Sequence, residues 1–328
     1  MEKITNKQLS LKLKQLEKFL KEQYKLEYEE KKRDWRTYEQ QYMERVKKAM
    51  KHLDPLTTEA TATIKRYNKK GDNPKLNSKE KLTLILIKHI TQKSNRMMSC
   101  MLSLFSMLSG IDISYKTVER LYSDDEVEMA LHNLHVLLLK KRNVKNIDAC
   151  GDATGYTLTI RKHYATVVNK KKDKAKKQKG KKIFVYSFML MDLKTKMYVC
   201  YGTSFKSEKE AFENGMKMLE DLDITIDSIR LDKYYSSPSY VDRFSNSKVY
   251  IIPKKNATIR GSWKWKKVIK EFIEDTLAYL HEYYRRNNSE VWIGADKKRF
   301  GWQVGQKRPD RVSTAMFSTT VWHNLLLL

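Results

Sequence analysis

The feature that most constrains this chain is a single change of hydrophobic period near Asn143. Before it, apolar residues recur at helical spacing. After it, short alternating runs and amphipathic stretches follow one another to the end. Such a switch marks a domain boundary. It predicts an all-α region over residues 1–145 and an α/β region over residues 146–328. With 328 residues, 41% hydrophobic and 11% aromatic, the chain is long enough for two ordinary domains and apolar enough to bury a core, so global disorder is excluded.

In the first region, residues 9–53 are rich in Lys, Glu, Gln, Leu and Tyr, which predicts long helix. Leu9, Leu13, Leu16 and Leu20 keep coiled-coil spacing for only two heptads, so a solvated helix packed along one stripe is favoured over a dimerising arm. Residues 68–78 carry Gly, Pro, Asn and Lys and predict a loop before a second helical block at residues 79–109, whose stretch from Met97 to Ile111 reads as a buried helix. Gly110 then supplies a turn and Ser114 a cap, so helix, turn and helix follow in the geometry of a helix-turn-helix unit, with Lys116 and Arg120 as DNA contacts on the second helix. An ordinary pair of packed helices is the competing reading. A further helix through Leu131, Leu134, Leu137 and Leu138 closes this half.

In the second region a strand over 146–150 ends at Gly151-Asp152, and Tyr156 to Val168 is again extended. Residues 183–192 and 196–204 form a hairpin, and Ser207 and Glu210 form a capping box that opens a helix. A strand over 228–231 ends at Asp232, a short helix spans 237–244, a strand spans 249–253, Trp263 to Arg286 is helical, and Ser313 to Leu328 closes the chain as a helix.

Charge narrows the partner. Lys and Arg number 66 against 39 Asp and Glu, a net +27, which attracts polyanions; nucleic acid is the leading partner. Nine lysines and one aspartate fall between Lys170 and Lys182, so Lys170, Lys171 and Lys172 belong to a loop suited to phosphate contact. Trp302 lies among Lys298, Arg299, Lys307, Arg308 and Arg311, where it suits base stacking, although a place in the core is the commoner role for a tryptophan. Cys100, Cys150 and Cys200 form no CxxC pair, and there is neither a signal core nor an apolar run of membrane length. The expected setting is a reducing cytoplasm, in association with the nucleoid and away from membranes. His132 and His135 read as a packed pair rather than zinc ligands, and no Walker loop or GxSxG is present.

The order strand, strand pair, helix, strand, helix, strand, helix is similar to that of the ribonuclease-H-like fold, a mixed five-stranded sheet with helices. Asp152 and Asp232 at neighbouring strand ends could then face one another and hold magnesium or manganese through oxygen ligands. The second region resembles the catalytic domain of the DDE transposases encoded by bacterial and archaeal insertion sequences. Asp152 in GDATGY resembles the first aspartate of that family and Asp232 in RLDKYYSS the second. Tyr283, Arg286, Glu290 and Lys297 match the spacing of its Tyr-Arg-Glu-Lys branch. Offsets of 3, 7 and 14 fall within an arc of about 60° if the helix is continuous, an arrangement that fails if Ser289 is a cap.

The resemblance implies a metal-dependent transposase with Asp152, Asp232 and Glu290 as catalytic ligands of two Mg2+ or Mn2+ ions. Tyr283, Arg286 and Lys297 would lie on DNA, and a homodimer would bring two transposon ends to target double-stranded DNA through hairpin-ended intermediates. Asp148 and Glu282 are competing acids, and Asp192 reads as a turn acid. A non-catalytic DNA-binding protein or inactivated relic is the alternative from a different class, and a ribonuclease-H-fold nuclease is a third.

Overall fold

A computed structural model describes residues 5–27, 34–64, 75–92, 94–104, 110–158, 184–254, 256–306 and 308–328. The lysine run with Lys170, Lys171 and Lys172, and most of the loop expected at 68–78, lie outside the described residues.

All described elements before Asn146 are helices: α1 (Asn6–Glu27), α2 (Trp35–Thr61), α3 (Ser78–Thr91), α4 (Asn95–Leu104), α5 (Tyr115–Arg120) and α6 (Asp125–Lys141). Their starts follow from capping chemistry. Asn77 and Glu80 close a reciprocal capping box on α3, with Glu80 N donating to Asn77 Oδ1 at 2.8 Å and Asn77 N to Glu80 Oε2 at 2.7 Å. The helical block expected over 79–109 is interrupted, because Gln92 takes a left-handed conformation (φ 54°) and ends α3. The stretch read as a buried helix is corrected as well: α4 buries Met98 but leaves Met97 50% exposed. After the turn at Gly110 (φ 65°), the Ser114 side chain caps α5, which is six residues long.

The second region builds one sheet from β1 (Asn146–Leu158), β2 (Phe184–Asp192), β3 (Tyr198–Ser204), β4 (Thr225–Leu231), β5 (Lys248–Tyr250) and β6 (Gln303–Val304). The order is β3-β2-β1-β4-β5, with β1, β2 and β3 antiparallel, β4 parallel to β1 and β5 parallel to β4. Two expectations are corrected. The first strand does not end at Asp152 but continues to Leu158, paired with β2 up to Thr157. Its far end also gains a sixth strand, the two-residue β6, too short to leave a periodic signal.

Helices α7 (Glu208–Glu220), α8 (Pro238–Asp242), α9 (Trp263–Glu274), α10 (Thr276–Tyr284), α11 (Asn287–Phe300) and α12 (Pro309–Leu325) complete the chain. The capping box on α7 is one-sided: Ser207 caps Glu210 N, but the Glu210 carboxylate turns to Ser204 Oγ and Lys206 Nζ. Helix α7 lies on β3 backbone to backbone, since a Cβ on Gly202 would come within 2.1 Å of Ala211 O. The helix expected from Trp263 to Arg286 breaks at Asp275, which leaves the helical region (φ −134°, ψ 78°) and caps Ala278 N.

Residues Cys150, Met189, Met191, Leu193, Tyr198 and Ile293 pack together on one side of the sheet, which places α11 over that side. Even-numbered residues of β1 share a face, so Asp152 lies on the face of Cys150 that α11 covers. Helix α12 is buried nearly throughout and ties the two regions together: Trp322 Nε1 donates to Leu86 O of α3 at 2.8 Å, and Asn324 bonds both backbone groups of Tyr198 on β3. No described helix is long and apolar enough to cross a membrane.

Candidate active site

Strand register brings the two aspartates side by side. The last parallel pair between β1 and β4 is Gly151 with Leu231, and the next residue on each strand is Asp152 and Asp232. Neighbouring strands run about 4.8 Å apart, so two residues more than seventy positions apart in sequence become lateral neighbours. Asp232 leaves the strand and caps a short 3-10 turn (Lys233–Tyr235), while Asp152 accepts from Ala153 N at 2.9 Å.

Glu290 reaches the same place from α11. Its carboxylate pairs with Arg286 Nη2 at 2.7 Å, and the same nitrogen lies 3.6 Å from Asp232 Oδ1. One guanidinium therefore stands between two acids from distant segments. Arg286 is itself steered by Nε donating to Tyr283 Oη at 3.1 Å, and its Nη1 is buried with no hydrogen-bond partner among the described residues. Against the burial that works the other way, Tyr283, Glu290, Asp232 and Asp152 raise Arg286 well above its ordinary range. Burial pushes the Asp152 carboxyl up to about 6, with Arg286 opposing and Glu290 and Asp232 adding to the rise.

The segment carrying these residues is not a single helix. Tyr283 ends α10, Arg285 and Arg286 form a two-residue junction in helical dihedrals, and Glu290 and Lys297 lie on α11. Ser289 is not a cap, since its Oγ donates back to Arg286 O at 2.7 Å. Tyr283, Arg286 and Glu290 thus meet on one side. Lys297 goes further along β1, where Nζ bonds Thr154 Oγ1 and donates to Gly155 O at 3.0 Å. It lies 4.8 Å from the Tyr156 ring and 4.9 Å from the Trp302 ring, and burial lowers its ammonium below the ordinary range, with Asp152 working against that. Trp302 is 60% exposed, and Lys116 and Arg120 are exposed on α5.

The competing acids are engaged elsewhere. Glu282 pairs with Arg230 at 2.5 Å and with Arg285 at 2.9 Å, and Asp148 takes the Ser228 hydroxyl, with Arg230 at 3.7 Å. Asp192 holds its turn through Thr195 N and Oγ1 at 2.8 and 2.6 Å. His135 is buried against Val199 O at 2.8 Å, and no cluster of His, Cys, Asp and Glu suited to a metal occurs among the described residues. Sequence reasoning missed Glu208, whose carboxyl is raised by burial, with Asp232 adding to the rise. Its burial comes from the finished packing and leaves no signal in the sequence, whereas the spacing of Ser207 to Glu210 does. Thr154 was missed because the first strand was expected to stop short of it, and Tyr156, expected on an extended stretch, was given no role.

In chemical terms, Asp152, Asp232 and Glu290 offer oxygen donors only, which suits a hard divalent cation. As placed they do not form a closed cage, because Arg286 stands between Asp232 and Glu290 and supplies the positive charge.

No family model matches the chain. Over 281 residues it is 42% identical to a protein of Archaeoglobus fulgidus described as a probable transposase for insertion sequence element ISA1214, an alignment covering 85% of this chain and 84% of that relative.

Proposed function

The chain belongs to the transposases of insertion sequence elements, and from that premise we propose that it cuts DNA at the ends of its element and joins the freed 3′ ends to target DNA at Asp152, Asp232 and Glu290. The observation that carries this reading is the single Arg286 guanidinium shared by Asp232 and Glu290 beside Asp152. The sheet order, three antiparallel strands followed by two parallel ones, supports a ribonuclease-H-like catalytic region. The contacts among Tyr283, Arg286 and Glu290 support the Tyr-Arg-Glu-Lys branch.

Asp152, Asp232 and Glu290 would hold two Mg2+ or Mn2+ ions, which supply activation of the attacking hydroxyl and charge stabilisation at the leaving oxygen. The protein's own groups do the rest. Arg286 must leave Glu290, and its unpartnered Nη1 is a ready donor to a phosphate oxygen of the scissile strand. Lys297, held by Thr154 and flanked by Tyr156 and Trp302, presents positive charge where the strand continues past the acids. Lys116 and Arg120 on α5, the lysine run at 170–172, and a second copy of the chain are assigned to gripping and pairing the two ends.

The test is cleavage of a duplex carrying the element's end. Asp152→Ala, Asp232→Ala and Glu290→Gln are each expected to abolish Mg2+-dependent nicking while duplex binding stays within about threefold of wild type. Nicking that survives all three substitutions rejects the site. Binding without nicking in the wild-type protein would favour a non-catalytic DNA-binding role.

A further inference from the structure

Past the acids, β1 runs into a cleft of about 990 Å³ between the helical region and the segment after α11. Its walls include Tyr115, Tyr122, Tyr156 and Trp302, with Lys88 and Arg96 beside them. Two features mark it as built for a ligand. Lys88 is only 9% exposed and has no carboxylate partner among the described residues; its Nζ donates to Tyr122 Oη at 2.8 Å and sits 4.8 Å from that ring. Burial alone lowers its ammonium to about 8, the mark of a cation without a counter-charge. The rim, independently, offers aromatic faces to solvent: Trp302 is 60% and Tyr115 37% exposed, each with a cation over its ring, Lys297 at 4.9 Å and Arg96 at 5.2 Å.

Among the described residues Glu119 is the one acid lining the cleft, and it is paired with Arg311. Tyr156 joins the cleft to the acids. It lies four residues beyond Asp152 on the same strand, about 13 Å away at the rise of an extended chain.

We infer that this cleft is a nucleotide subsite of the DNA-binding surface, taking one unpaired nucleotide of a strand that leaves the active site, with its phosphate on Lys88 and its base against the exposed Trp302 face. The chemistry fits because an unpaired base can stack on an aromatic plane whatever its identity, and a buried ammonium whose hydrogen-bond partner is a neutral phenol binds an anionic oxygen strongly. A paired base would keep its face inside the duplex, so the subsite selects single-stranded character rather than sequence. This inference rests on the transposase reading and adds a place outside the acid cluster where the strand is held.

The experiment is a fluorescence anisotropy titration of the full chain with a blunt 20-base-pair duplex and with the same duplex carrying a three-nucleotide 3′ or 5′ extension. Wild-type protein is expected to bind at least one extended duplex about tenfold more tightly than the blunt one. Lys88→Met is expected to remove most of that preference while leaving blunt-duplex affinity and Mg2+-dependent nicking unchanged. Its melting temperature should be no lower than wild type, because an unpaired buried charge has been removed. Tyr115→Leu, an exposed change that spares folding, is expected to reduce the preference about threefold or more.

Equal affinity of wild-type protein for all three duplexes would overturn the inference, as would a preference left intact in Lys88→Met. Saturable binding of dAMP without any preference for an extension would also overturn it and assign the cleft to a free nucleotide. Loss of nicking in wild-type protein would instead count against the transposase site, so the two failures are separable.

Discussion

At the residue scale, one arginine is shared by two acids of the cluster, and the cluster's burial has measurable consequences. The folded protein binds the Asp152 proton more tightly than the unfolded chain does, since burial raises its carboxyl from 3.8 to about 6. The contribution to stability is therefore fully present below about pH 4 and is lost as pH rises through about 6. The two values set an upper limit of about 3 kcal/mol on that loss. Asp152→Asn is accordingly expected to raise the melting temperature of the metal-free protein by a few degrees at pH 7.5 and to leave it unchanged near pH 4, by differential scanning fluorimetry. A wild-type curve as stable as the Asn variant at pH 7.5 would contradict the burial argument. Arg286→Gln removes the shared cation and leaves Asp232 and Glu290 facing each other. Its metal-free melting temperature is expected to fall, and millimolar Mg2+ is expected to raise it by more than it raises wild type, because no guanidinium has to be displaced.

At the element scale, α11 carries both Glu290 and Lys297, so whatever fixes its register fixes the site. Asp296, fully buried on its inner face, accepts from Tyr198 Oη at 2.9 Å and contacts His323 Nδ1 at 2.8 Å, while His323 Nε2 meets Lys196 O at 2.9 Å. With one ring nitrogen on Asp296 and the other on Lys196 O, His323 joins Tyr198 in bolting α11 to β3 and α12. Asp296→Ala strands Tyr198, His323 and Arg299, whose Nη1 lies 3.6 Å from Oδ1, and is expected to cost about 3 kcal/mol or more in urea unfolding. Gly294 offers the opposite case. A Cβ there meets nothing within 4 Å, so Gly294→Ala is expected to stabilise the protein by about 0.5–1 kcal/mol without altering nicking.

The same helix shows what could be read in the sequence. Asp152 and Asp232 could be singled out because a short apolar run precedes each acid, although only β4 stops there and β1 continues to Leu158, and Glu290 because its spacing to Tyr283 and Arg286 is local. The continuation of β1 past Asp152 was hidden, because Thr154, Gly155 and Tyr156 are held by Lys297 and by β2, partners that no periodicity reports. The break at Asp275 and the one-sided cap at Glu210 were hidden for a related reason. Each depends on a side chain choosing one of several polar partners that the finished packing offers.

At the scale of the whole molecule, the change of period near Asn143 marks a change of element type without interrupting the core. One set of buried contacts runs from Leu9 in α1 to the residues beyond α12, and α12 is its centre, packed on α3 and α6 on one side and on β3 on the other. Polar contacts cross the same boundary: Trp322 Nε1 to Leu86 O, His89 Nε2 with Thr319 Oγ1 at 2.9 Å, and Arg311 with Glu119. A helix buried on all sides cannot keep its structure when one side is removed, since each apolar residue newly exposed costs about 1.5–3 kcal/mol. The helical and α/β regions are therefore expected to unfold together. Urea titration followed by far-UV circular dichroism, which weighs the N-terminal helices heavily, and by the fluorescence of a Trp35→Phe variant, whose five remaining tryptophans all lie after residue 146, should give coincident midpoints. A fragment of residues 146–328 expressed alone should show no cooperative transition. Two separated midpoints, or a fragment that folds by itself, would mean that α12 serves the sheet alone and that the N-terminal helices are an independent DNA-gripping unit.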